Sequence, residues 1–413
     1  MGTIVTRTLS CGMPVVIEPM SGVRSCALTW LVPAGAGHDP ADRLGLSAIW
    51  AELLLRGAGD LDSRAHADAC DAIGMSRSAE SGPLFMRISA TLLGDRLIDG
   101  LPLITDMIRR PRFDPDSLEP ARDLALMAIE ALQDDPQERA SLLARSRHLP
   151  APLDRSTLGT PEGLGAITQA DVTSEWVRRA VPRGSMLGIA GAVDVDRTID
   201  TLDRLLDGWT GSREEPTLGP TPARGYLHEP DDSTQVQILL LRDGPADPEP
   251  DSIPERVVAN VLSGGMSGRL FTEVREKRGL CYAVSASYGA DKHRGTVVAY
   301  VGTTPERAQE SLDVLNSEMN RIATPEGAIT PDEFRRAIVG MKSGVIFSGE
   351  STSARAATIV GDLYRRGRAR TLTEIAAEID RVTLDTVNTY LHRRQPGKTT
   401  IQTLGPAALT PPG

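Results

Sequence analysis

The apolar positions of this chain alternate between two periods. Short apolar-rich segments at residues 23–32, 84–93 and 186–193, and again at 235–241, 281–288 and 296–301, read as strands. Between them, residues 116–132, 305–322 and 331–347 carry the three- and four-residue spacing of long amphipathic helices. The last has a start signal: Thr330 as N-cap, Pro331 at the first helical position, then Asp332 and Glu333. Helices clustered between antiparallel strands predict an α+β fold of mixed α/β sandwich domains, each an antiparallel-rich sheet with helices on one face.

The pattern occurs twice. Ile49, Trp50, Leu53, Leu54 and Gly57 correspond to Val257, Val258, Val261, Leu262 and Gly265 at an offset of 208. Ile167, Thr168 and Val172 correspond to Val382, Thr383 and Val387 at an offset of 215, and a proline and a strand follow in both copies. Residues 211–225, with three prolines, three glycines and no periodic apolar pattern, read as a linker. Two homologous domains are therefore expected, 1–210 and 226–413, joined by 211–225.

Composition narrows the function classes. A length of 413 residues with 40% hydrophobic content suits two domains with sizeable cores. A net charge of −10 argues against a nucleic-acid partner, because phosphate binding needs a basic surface. No apolar run reaches the roughly 18 residues of a membrane span, and the N-terminus shows no secretory h-region or arginine-rich presequence. Cys11, Cys26, Cys70 and Cys281 are scattered without a CxxC pair, as expected of structural thiols in a reducing compartment. A cytoplasmic protein is the expectation.

Two segments carry the candidate chemistry. Taken as a helix, residues 45–57 place Leu46, Ile49, Trp50, Leu53 and Leu54 on one core-facing stripe, and positions 48 and 52, four apart, together on another face. Residues at such a spacing can share one metal ion, but Ala48 has no donor atom and Glu52 alone cannot hold zinc. The six histidines, His38, His66, His148, His228, His293 and His392, are never closer than 28 residues, so no helical ligand pair exists. Residues 264–289 read as a helix closed by Gly279, with Lys277 and Arg278 near its C-terminal dipole. A strand follows, in which Cys281, Ala283 and Ser285 alternate against Tyr282, Val284 and Ala286.

These segments resemble the pitrilysin/insulinase-type zinc peptidases. Gly45-Leu-Ser-Ala-Ile-Trp-Ala-Glu-Leu-Leu-Leu-Arg-Gly57 follows that family's G-L-x-H-x-x-E-H-x-L-x-[KR]-G frame, with Ala48 and Glu52 at the metal-binding histidine positions and Ala51 at the catalytic glutamate. Glu130 resembles the third ligand, a carboxylate on a downstream helix, although counted back from Pro136 that position falls equally on Ala128. Residues 264–282 are similar to the second-domain signature G-G-x-S-S-R-L-x-x-x-[LV]-R-E-x-x-G-L-x-Y, departing at Gly268. The resemblance implies that Arg275 and Tyr282 bind the substrate backbone and stabilise an oxyanion. It also implies that Gly74 and Ser76–Ser81 form an edge-strand region that receives substrate by strand addition.

A chain with Arg275 and Tyr282 but without HxxEH is similar to the non-catalytic subunits of this family, of which the alpha-type subunit of mitochondrial processing peptidase is one. The resemblance implies a chain inactive alone that binds no cofactor and joins an HxxEH-bearing homologue as a heterodimer. Zinc sits on that partner, and the substrates are unfolded peptides. A peptide-binding homodimer and a scaffold subunit, like respiratory complex core proteins, are the alternatives.

Overall fold

The computed structural model describes residues 3–412, and the chain folds into two compact units. The first takes residues up to 131, 151–220 and 348–371; the second takes 132–150, 221–347 and 372 onward. The passage at 220–221 lies inside the expected linker, but a segment of each half of the chain is built into the other unit. Among the described residues no helix is long and apolar enough to cross a membrane.

In the first unit the strands are β1 (Val5–Thr8), β2 (Pro14–Pro19), β3 (Ser25–Val32), β4 (Gly57–Ala58), β5 (Leu61–Asp62), β6 (Ser76–Ser81), β7 (Met86–Leu93) and β8 (Met186–Gly191). Six of them form one sheet in the order β1-β2-β8-β3-β7-β6, antiparallel except for β2 with β8. The two-residue periodicity divides the side chains between faces. Val15, Ile17, Leu28, Trp30, Ile88 and Ile189 enter the main core. Val16, Ala27 and Ala190, one residue out of phase, meet Ala356, Ile359 and Val360 of the helix Thr352–Arg366 on the opposite face. That helix comes from the far half of the sequence and lies close: a Cβ on Gly188 would sit 2.5 Å from the Ala356 carbonyl oxygen. Its fully buried Arg355 donates to Glu18 on β2 at 2.7 Å.

The second unit repeats the plan with β9 (Tyr226–Pro230), β10 (Val236–Gly244), β11 (Cys281–Ala290), β12 (Gly295–Thr303) and β13 (Thr400–Gly405), in the order β11-β12-β10-β13-β9. Val236, Ile238, Leu240, Val297 and Val301 face its main core. Leu239, Leu241 and Leu404 take Ala140 and Ala144 of the helix Pro136–His148, which the first half of the sequence supplies. The duplication extends to the caps. Thr168 accepts from the Asp171 amide, and Thr383 from the Thr386 amide, at the starts of equivalent helices.

The expected start of the helix Pro331–Gly349 is built as a reciprocal cap. The Glu333 amide donates to the Thr330 hydroxyl, and the Thr330 amide and hydroxyl both donate to the Glu333 carboxylate at 2.9 Å. Arg269 donates to the same carboxylate at 2.6 and 2.7 Å. Burial alone would raise the Glu333 carboxyl, but the hydrogen bonds from Arg269 and Thr330 and the charge of Arg269 outweigh it and hold the group at about 2.

Two predictions follow from these contacts. The depressed Glu333 acidity contributes stability that is present above its ordinary value of 4.5 and lost as pH falls toward about 2. Urea melts should show Glu333→Gln less stable by about 2 kcal/mol at neutral pH, with the difference from wild type closing across that acidic window. A pH-independent difference would contradict the assignment. Glu18→Ala strands the buried Arg355 charge and should cost about 3–5 kcal/mol; a loss below about 1 kcal/mol would show that the pair does not anchor the helix.

Candidate functional site

The helix Leu46–Leu53, on which the resemblance places an altered metal frame, begins at Gly45, whose φ of 111° is reached easily by glycine alone. No residue of the first turn caps it. Asp39 does so instead, accepting from the Gly45 amide at 3.2 Å, the Ser47 amide at 3.1 Å and the Ser47 hydroxyl at 3.0 Å. Burial pushes the Asp39 carboxyl up, and Arg179, donating to its other oxygen at 2.9 Å, works against that. The Arg179 guanidinium lies 4.8 Å over the Trp50 ring, and the Trp50 indole donates to the Val172 carbonyl at 3.0 Å. Leu46, Ile49, Trp50 and Leu53 are buried, as the stripe predicted. The helix stops at Leu53, short of the expected Gly57, where β4 begins.

Ala48, Ala51 and Glu52 are half-buried on the other faces of this helix, which packs against the helix Leu118–Glu130 and against β6. Glu130 is the exposed last residue of its helix, and Ala128 is also exposed. Alanine side chains offer a metal nothing, and a half-buried and an exposed carboxylate are not a zinc donor set. Among the described residues no three His, Cys, Asp or Glu side chains are grouped to hold a metal ion. The residues of this chain do not fit the zinc that the resemblance places in catalytic members.

The second element is built differently from the expected α-helix. After the helix Ser252–Ser263, a glycine turn passes through Gly265 at φ 123° into a π-helix, Phe271–Glu276. Such widened turns recur at functional sites. Leu270, Val274 and Leu280 anchor it in the core. Buried Arg269 clamps it, donating to the Gly327 carbonyl at 2.6 Å and the Ala328 carbonyl at 3.0 Å besides its pair with Glu333. Gly279 closes the segment at φ 61°, its amide donating to the Arg275 carbonyl at 2.9 Å. Lys277 and Arg278, expected to serve the helix dipole, pair with Glu273 at 2.7 and 2.9 Å.

The regular alternation expected from Cys281 onward is interrupted. The ladder to β12 shifts between Cys281, opposite Thr303, and Ala283, opposite Gly302, leaving Tyr282 as an extra residue. Cys281, Val284, Ala286 and Tyr288 all pack against the core, while Tyr282 turns outward and is 85% exposed. An unbroken pleat would have placed Tyr282 on the same face as Val284. The bulge aims the phenol at Arg275, whose guanidinium lies 5.6 Å over the Tyr282 ring and 5.0 Å over Phe271. The two sequence-selected residues are therefore neighbours. Phe271 was missed, although it stands four residues before Arg275 on a helical segment.

Residues 15–160 match the family described as Insulinase (Peptidase family M16), and residues 181–341 match the Peptidase M16 inactive domain. The chain is 26% identical to an uncharacterized zinc protease of Mycobacterium leprae, over 97% of this chain and 91% of that protein. It is 24% identical to the uncharacterized zinc protease YmxG of Bacillus subtilis, over 92% and 93%. A crystal structure of a peptidase M16 inactive domain from Pseudomonas fluorescens superposes with a TM-score of 0.87, at 19% identity, over 99% of both chains. A chain of Complex III2 from Candida albicans gives 0.83 at 17% identity, over 98% and 96%; these two likenesses establish the fold. With residues 15–160 and 181–341 both matched, the chain belongs to the insulinase-like M16 peptidase family, and its sequence contains no HxxEH motif.

Proposed function

We propose that this chain is the non-catalytic, substrate-binding subunit of a two-chain zinc peptidase, contributing Arg275 and Tyr282 to a site whose metal belongs to an HxxEH-bearing homologue. The observation that carries this reading is the outward-turned Tyr282 stacked with Arg275. Among the described residues, neither the Arg275 guanidinium nor the Tyr282 hydroxyl has a hydrogen-bond or ion-pair partner. A π-helix, a clamped arginine and a bulge thus hold two groups whose polar ends bond no other described residue. A guanidinium offers five N–H donors in a fixed fork and a phenol offers one. Directed at a peptide, they suit carbonyl oxygens and the oxyanion that forms when a carbonyl is attacked.

The peptide is read as lying along β6, which has a neighbour on one side only and leaves its other edge free for strand addition. The hydrolytic step belongs to the partner. The free thiols of all four cysteines suit a reducing, cytoplasmic setting. A scaffold role would give no reason to keep a solvent-facing arginine–tyrosine stack, and the likeness to a Complex III2 chain is one of fold.

The test mixes the purified chain with the HxxEH homologue of the same genome and follows a quenched peptide and zinc content. Cleavage should appear only in the mixture, with zinc only on the partner. Arg275→Ala and Tyr282→Phe should each lower kcat about 10²-fold or more without dissociating the complex. Because Tyr282 is exposed, its substitution should leave the stability of this chain within about 0.5 kcal/mol. Unchanged turnover in both variants, or chelator-sensitive cleavage by this chain alone, would overturn the reading.

A further inference from the structure

The sheet of the first unit has a trough on the face opposite its main core. The exchanged helix Thr352–Arg366 covers β2, β8 and β3 but reaches only the margin of β7, so the outer faces of β7 and β6 stay open. The cavity left there has a volume of about 370 Å³, with Ser353, Ala354 and Ala357 of the helix as one wall. Its floor is set by register. Ser78 of β6 stands opposite Ser89 of β7, and Ser89 opposite Thr29 of β3, so three hydroxyls cross the sheet in one row. Ser76 stands opposite Thr91 on one side of that row, and Glu80 opposite Arg87 on the other.

The polar groups divide into spent and unspent. Thr91 bonds the Ser353 hydroxyl at 2.9 Å, and Glu80 is paired with Arg87. Among the described residues, the hydroxyls of Ser76, Ser78, Ser89 and Thr29 bond no protein group. The trough is thus neutral, lined by free hydroxyls that both donate and accept, and wide enough for one large side chain. An apolar side chain entering it would gain contact with Ala354 and Ala357 but would strip water from those hydroxyls without returning a hydrogen bond. A charged one would meet no free counter-ion, because Glu80 and Arg87 already neutralise each other. Arg77, which also borders the trough, is out of phase with Ser76 and Ser78 on β6 and turns its guanidinium to the Leu55 carbonyl beside the main core.

We propose that this trough is a side-chain subsite that takes a neutral hydrogen-bonding residue of a bound peptide, namely glutamine, asparagine or tyrosine. The inference rests on the reading that peptide adds along β6. In an added strand, alternate side chains project to the outer face, and one opposite Ser78 stands about 4.5–5.5 Å away between Cβ atoms, within reach of the hydroxyl row. The subsite is distinct from Arg275 and Tyr282, which belong to the second unit.

The test is affinity selection of a randomised heptapeptide display library on the full chain. Selected peptides, and their leucine counterparts at the enriched position, are then measured by fluorescence anisotropy on wild type, Ser89→Val and Ala357→Leu. Glutamine, asparagine or tyrosine should dominate one position of the selected set. Ser89→Val, which keeps a strand-favouring residue on the sheet, should reduce the preference for the polar side chain over leucine about tenfold while changing the affinity of the leucine peptide less than about threefold. Ala357→Leu should weaken only the peptides with the large polar side chain. Selectivity that both variants leave intact, or enrichment of charged or apolar residues at every position, would overturn the subsite while leaving strand addition in place. Capture of no peptide at all would overturn strand addition on this chain, and the subsite with it.

Discussion

A sheet has two faces, and in each unit of this protein the local sequence covers only one. The alternation along β2, β3 and β8 sends Val15, Leu28 and Ile189 to the main core and Val16, Ala27 and Ala190 the other way. Leaving the second set in water would forgo burial worth roughly 25 cal/mol per Å² of apolar surface. One helix from the other half of the chain supplies the cover in each unit: Thr352–Arg366 in the first, Pro136–His148 in the second. The approach is close enough that Gly188 tolerates no Cβ, and it brings charge into the interior, where Arg355 needs Glu18. A single helix spans only part of a sheet. The margin it leaves over β6 and β7 is where the hydroxyl-lined trough lies.

The two chemistry-bearing segments were shaped by opposite demands. The helix Leu46–Leu53 is fully supported, with Asp39 as a remote cap, Arg179 against Trp50 and a buried apolar stripe, although Ala48, Ala51 and Glu52, where the family resemblance implies metal chemistry, offer no zinc donor set. That packing is required by the fold whether or not metal chemistry is present. The segment from Gly264 to Ala290 departs from regular structure at each step, by a glycine turn, a π-helix and a bulge, and the sum of these departures is an exposed arginine–tyrosine stack. Irregular backbone that ends in solvent-exposed donors without a protein partner among the described residues is difficult to explain by folding alone.

Much of this was legible in the sequence because it rests on local chemistry. The expected helix over 331–347 forms as Pro331–Gly349 because Thr330 and Glu333 cap each other, and the strand expected over 281–288 forms as Cys281–Ala290. The exposed position of Tyr282 was not legible, since a bulge is set by the partner strand β12 and a two-residue period places Tyr282 beside Val284. The exchanged helices were equally hidden. Nothing in the residues of Pro136–His148 says that Ala140 and Ala144 will meet Leu239 and Leu241, about a hundred residues downstream. Arg269 stood in a recognised motif, yet its partner Glu333 lies 64 residues away and appears only in the folded chain.

The central claim is that Arg275 and Tyr282 stabilise charge developing at another chain's metal. The most direct measurement compares a peptide phosphonate, which carries the tetrahedral anionic shape, with the corresponding uncleaved peptide as ligands of the mixed complex. The account predicts that Arg275→Ala weakens phosphonate binding much more than peptide binding, because the interaction is realised mainly in the transition state. Equal weakening of both ligands would reduce the pair to ordinary substrate contacts, and no change in either would remove it from the site.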